Sequence, residues 1–74
     1  MVKINSRYRH YKGKEYIVLA VGNHSETLEE MVVYQGQYTD EEFGKNPIWI
    51  RPKSLFEGKI ERDGKIIDRF ELLE

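Results

Sequence analysis

The sequence predicts an all-β fold, a small barrel of about five or six short strands with little helix. Three observations carry this. Two runs, Tyr16-Ile17-Val18-Leu19-Ala20-Val21 and Met31-Val32-Val33-Tyr34, are dense in β-branched and aromatic residues, the types that suit a pleated surface. Asp63-Gly64 separates two further short runs, and the primed hairpin turns need the positive φ that these residues tolerate. The connections are brief, and 74 residues make one domain with no room for a second. Closure is expected because it removes the strand edges that invite aggregation.

The elements follow in order. Tyr8 to Tyr11 is a short strand ended by Lys12-Gly13. Tyr16 to Val21 is apolar at odd and even positions alike, so both of its faces are expected to meet core. Gly22 to Thr27 is a polar loop, and Ser25 offers a start for a brief helix toward Met31. The next strand runs from Glu30 to about Tyr38, with Val32, Tyr34 and Tyr38 on one face and Met31, Val33 and Gln35 on the other. Thr39 to Pro47 is an acidic loop with room for one helical turn at Asp40 to Phe43. Ile48 to Arg51 is a strand closed by Pro52, and Ser54-Leu55-Phe56 is a helical turn stopped by Gly58. Lys59 to Arg62 and Lys65 to Leu72 form the last hairpin. Ile17, Leu19, Val33, Ile48, Ile50 and Phe70 are the expected core.

Composition narrows the function classes. With no cysteine there is neither a disulfide staple nor a thiolate nucleophile. The longest apolar stretch is strand-sized, and no secretory signal pattern opens the chain, which points to the cytoplasm and away from membranes. The net charge of −1 exerts no general pull on nucleic acid. Its distribution is uneven, however. Residues 1–14 carry Lys3, Arg7, Arg9, Lys12 and Lys14 and no acid, whereas residues 15–44 carry acids and no Lys or Arg.

Certain strings, taken together, point to a family. Tyr11-Lys12-Gly13-Lys14-Glu15-Tyr16, His24-Ser25-Glu26-Thr27-Leu28-Glu29, Val32-Val33-Tyr34, Trp49-Ile50-Arg51-Pro52, Phe56, Gly64-Lys65 and Arg69-Phe70 resemble the small bacterial proteins catalogued as domain of unknown function 1653, DUF1653. The resemblance spans residues 8 to 73. It implies an SH3-like barrel, or roll, and no activity. The chain departs from the family pattern in its longer acidic segment, Thr39 to Asn46, and in Asp68, where members often carry proline.

Catalysis finds little support in the residues. His24, Ser25 and Glu26 are neighbours in sequence, and neighbours on an extended chain point opposite ways, so adjacency does not make a triad. Such residues also pin loops by bonding to nearby backbone. His10 and His24 are the only histidines, without the short spacing of a metal pair, and no glycine-rich phosphate loop is present. No cofactor is expected. Recognition fits better, since Trp, Tyr and Arg dominate interface energetics. If Ile48 and Ile50 point inward, Trp49 and Arg51 form an outward platform, joined by Tyr11, His24, Glu26 and Tyr34. The reading is a non-enzymatic module for a protein or extended peptide. One alternative is RNA or single-stranded nucleic acid along the basic, aromatic segment Lys3 to Lys14. Another is a small enzyme or ligand-binding domain built around His24 and Glu26.

Overall fold

The computed structural model describes residues 2–74. Its elements are β1 (Arg7–His10), β2 (Glu15–Asn23), β3 (Glu30–Gly36), β4 (Thr39–Asp40), β5 (Gly44–Lys45), β6 (Ile48–Pro52), α1 (Lys53–Phe56), β7 (Lys59–Arg62), β8 (Lys65–Asp68) and β9 (Phe70–Leu72). The all-β expectation holds. Five antiparallel strands make one sheet in the order β6-β3-β2-β1-β9, and β4-β5 and β7-β8 are separate hairpins.

The expected barrel does not close, because β6 and β9 are free sheet edges. The run from Lys65 to Leu72, read as one strand, breaks at Arg69. The Arg69 N–H donates to the Gly58 carbonyl (3.0 Å), and its carbonyl accepts from the Tyr11 N–H (3.0 Å). Residues before the break stay with β7, and those after it pair with β1. The turn at Asp63 (φ 53°) and Gly64 (φ 79°) takes the left-handed geometry its residues favour.

The core lies on one face of the sheet. Tyr8, Val18, Val32, Tyr34, Phe56 and Phe70 are buried there. Phe56, carried on α1, stacks on Phe70 (centroids 4.1 Å apart), and Tyr8 and Tyr34 meet it edge-on at 5.2 and 5.3 Å. Of the expected core residues only Phe70 belongs to this cluster. Ile17 and Val33 are half-buried, while Leu19, Ile48 and Ile50 are 37%, 57% and 64% exposed. Two causes reverse the parity. The β2–β3 register shifts between Val18 and Ala20, so the alternation along Tyr16 to Val21 changes sides at a bulge. On β6, Trp49 lies opposite Tyr34 and Arg51 opposite Val32, which puts Trp49 and Arg51, not the isoleucines, on the core side. Among the described residues no helix is long and apolar enough to cross a membrane.

Candidate ligand cavity

The aromatic cluster fills only part of the inner face. Beside it opens a cavity of about 380 Å³. Its wall is laid down by strand alternation. Tyr34 on β3 sits between its cross-strand partners Val18 on β2 and Trp49 on β6. Tyr16 and Phe70 extend the floor, and Tyr16 meets Tyr34 edge-on at 5.2 Å.

Tyr38 joins this wall through a glycine. A Cβ on Gly36 would stand 2.6 Å from the Tyr38 ring, so only glycine lets that ring fold back over the end of β3. Once folded back, its hydroxyl accepts from the Trp49 indole N–H (2.9 Å) and lies 3.1 Å from the Tyr16 hydroxyl. Phe43, held by the β4-β5 hairpin, abuts Trp49 from outside (5.2 Å). That hairpin replaces the loop and helical turn expected at Asp40 to Phe43. The Asp40 carboxylate accepts from the Glu42 and Phe43 N–H groups (2.8 and 3.0 Å). The Phe43 bond, then the Glu42 bond, hold its carboxyl below the usual range.

The charged lining is one-sided: Lys12, Lys14 and Arg51 face the cavity beside the His10 ring, and no carboxylate does. Lys14 Nζ sits 4.4 Å over the Tyr38 ring, and the Arg51 guanidinium 5.4 Å from the Phe70 ring. Burial first, then Arg51, Arg69 and Lys12, holds His10 below its ordinary value. Its Nδ1 accepts from the Lys12 N–H (3.2 Å). Burial, then the hydrogen bond to Tyr38, pushes the Tyr16 hydroxyl well above the usual tyrosine range. Burial likewise raises Tyr34, against the opposing charge of Arg51. Arg69, whose charge reaches His10 and Tyr34, has a buried Nε with no hydrogen-bond partner.

Of the six residues expected to form a site, Tyr34, Trp49 and Arg51 meet here. The other three lie elsewhere. His24 and Glu26 belong to the β2–β3 turn, beyond the Asn23–Glu30 pair, which at about 3.3 Å per residue lies roughly 13 Å along β3 from Tyr34. His24 Nδ1 accepts from the Glu26 and Thr27 N–H groups (3.1 and 3.3 Å), and the His24 backbone N–H donates to the Glu29 carbonyl (2.8 Å). The Ser25 hydroxyl bonds the Glu26 carboxylate. These bonds pin the turn. Tyr11 lies against the His10 ring (4.4 Å), its carbonyl accepting from Arg62 (3.1 Å). It lines a second cavity, of about 500 Å³. There Arg9 pairs with Glu71 (3.6 Å) and Lys59 with Asp68 (2.5 Å), so the charges answer one another. Outside the six expected site residues lie His10, Lys12, Lys14, Tyr16 and Tyr38. The basic, aromatic segment held the signal for the first three, whereas Tyr38 depends on the contact with Gly36.

No curated protein matches this chain. A crystal structure of a DUF1653 protein from Bordetella bronchiseptica is similar to it, with a TM-score of 0.79 and 28% identity, over 93% of this chain and 85% of that one. The model of the DUF1653 family, described as proteins of unknown function, matches residues 6–72. With nearly its whole length matched, this chain belongs to the DUF1653 family.

Proposed function

We propose that this chain is a non-enzymatic binding module that holds an extended peptide of a protein partner by an acidic group seated in the aromatic cavity. One observation carries the reading: three cationic side chains, a histidine and no carboxylate line a cavity walled by aromatic rings. Its volume falls within the ~300–1,000 Å³ of small-ligand sites. A cationic ligand is disfavoured, since Lys14 and Arg51 already occupy the Tyr38 and Phe70 faces. Hydrogen-bond direction favours an anion as well. The indole N–H can only donate, so Tyr38 accepts from Trp49. The cooperative continuation has Tyr38 donating to Tyr16, whose O–H is then free for a ligand oxygen. No nucleophile stands beside a general base here, which supports binding over turnover.

Single-stranded nucleic acid is the weaker reading. It brings a charge at every nucleotide, and the hairpin that seats Phe43 on Trp49 carries Asp40, Glu41 and Glu42 beside the cavity. A short peptide strand that alternates acidic and neutral residues turns its few anions to the basic side and meets less of that repulsion. The proposed module is a peptide-binding roll of SH3-like kinship that works in the cytoplasm. The test is NMR titration of isotope-labelled protein with a blocked peptide of alternating glutamate and valine, and with an oligouridylate. The peptide should move the Trp49 indole signal, and Arg51→Gln should weaken it tenfold or more. Tighter binding of the oligonucleotide, or shifts confined to the His24 turn, would overturn the proposal.

A further inference from the structure

The strand that carries Trp49 and Arg51 is also an open edge of the sheet. The Gly36 N–H donates to the Pro47 carbonyl across β3 and β6 (2.8 Å). Antiparallel pairs alternate between bonded and non-bonded positions. Counting from that bond, Trp49 and Arg51 turn their backbone groups toward β3, and Ile48 and Ile50 turn theirs away from it. Among the described residues no hydrogen bond reaches the outward N–H and C=O groups of Ile48 and Ile50. Pro47 and Pro52 bracket the stretch, limiting the edge to a short pairing partner. The side chains of Ile48 and Ile50 are exposed on the outer face.

We infer that β6 receives an extended strand of a partner protein, paired to the backbone of Ile48 and Ile50. This rests on the reading of the cavity as an anion site and specifies the partner further. In a strand added at an edge, alternate side chains fall on opposite faces. Those on the side of Trp49 and Arg51 reach the basic cavity and would be acidic. Those between them lie beside Ile48 and Ile50 and would be aliphatic. The partner segment is therefore a short run of alternating acidic and aliphatic residues. Charge argues against a second copy of this chain in that place. Its own β6 would bring another Arg51 to a cavity mouth that already holds Arg51, Lys12 and Lys14.

The experiment uses a blocked hexapeptide alternating glutamate and valine, together with three relatives. Two carry N-methyl groups, one on every glutamate amide and the other on every valine amide. The third has glutamine for glutamate. With the parent peptide bound, hydrogen exchange at the Ile48 and Ile50 amides should slow at least tenfold. One N-methyl series should lose at least tenfold in affinity and the other should not, because a strand pairs through one edge only. Unchanged exchange at both isoleucines, or full affinity in both N-methyl series, would overturn strand addition. If the glutamine peptide binds as well as the parent and still protects the isoleucines, strand addition stands and the cavity reading fails. Sedimentation showing that the free protein is already a dimer with those amides protected would assign the edge to a second copy and overturn the proposal.

Discussion

On the inner face of the sheet Val18 and Val32 are fully covered. On its outer face Ile48 and Ile50, larger aliphatics on the adjacent edge strand, are mostly in water. Side-chain hydrophobicity alone would assign the faces the other way. What decides is the supply of covering groups. The inner face receives α1 and the Phe56 ring, and around it aromatic side chains from β1, β2, β3 and β9 interlock edge-to-face. The outer face receives no such cover at β6, where Ile48 and Ile50 stay exposed among the described residues. A 74-residue chain has material to cover one side of a five-stranded sheet, and rings cover the most area per residue.

The largest effect should come from removing the ring that covers the inner face. Phe56→Ala deletes a side chain only 2% exposed and stacked on Phe70. Loss of about 3–5 kcal/mol is expected, enough to unfold much of a domain this small. Urea denaturation followed by Trp49 fluorescence measures it. A midpoint equal to wild type would mean the inner face is not the core.

Gly36→Ala tests how the cavity wall is built. The new methyl would collide with the Tyr38 ring, so Tyr38 must swing out and surrender its bonds to Trp49 and Tyr16. A cost of roughly 1–3 kcal/mol is expected, with a change in the Trp49 emission spectrum as its indole N–H loses its acceptor. Retained emission and stability would show that Tyr38 stands elsewhere.

His10 gives a smaller effect with a definite sign. Burial, and then the neighbouring cations, lower its pKa from the ordinary 6.5. The unfolded chain then takes up a proton at a pH where the folded chain does not. The stabilisation that neutral His10 allows is complete above 6.5 and is lost as pH falls through the lowered folded value. His10→Gln should flatten the stability profile in that window relative to wild type. An anion in the cavity would raise the His10 pKa, so ligand affinity should increase as the pH drops through the same range. Equal profiles for the two proteins would mean that neither burial nor the neighbouring cations act on His10.

These contrasts mark what the sequence made legible. Asp63-Gly64 predicted its hairpin because the turn needs only local backbone freedom, and the helical turn before Gly58 follows from equally local signals. The His24 turn was legible in its bland form, as side chains bonding nearby backbone. The facing of Tyr16 to Val21 was not, since a run apolar at every position carries no parity and the bulge at Leu19 then switches it. Trp49 and Ile50 were assigned to the wrong faces for a related reason. Both are apolar, and their order is set by Tyr34 and Val32 across the ladder. The return of β9 to β1 joins residues about sixty positions apart, and no local pattern announces such a contact.

The smallest expected effect tests the outer face. Ile50→Ala removes an aliphatic side chain that is 64% exposed. Were Ile50 a core residue, the change would cost about 2–5 kcal/mol. In water on the outer face it should shift stability by no more than about 0.5 kcal/mol, read as the difference in urea midpoint at equal slope. Loss of β-propensity from an edge strand adds at most about 1 kcal/mol and stays below the cost of a core truncation. A cost of several kcal/mol would mean that Ile50 is covered in solution, by this chain or by another copy of it. Repeating the measurement across a hundredfold range of protein concentration separates the two, because stability conferred by a second copy rises with concentration and stability conferred within one chain does not.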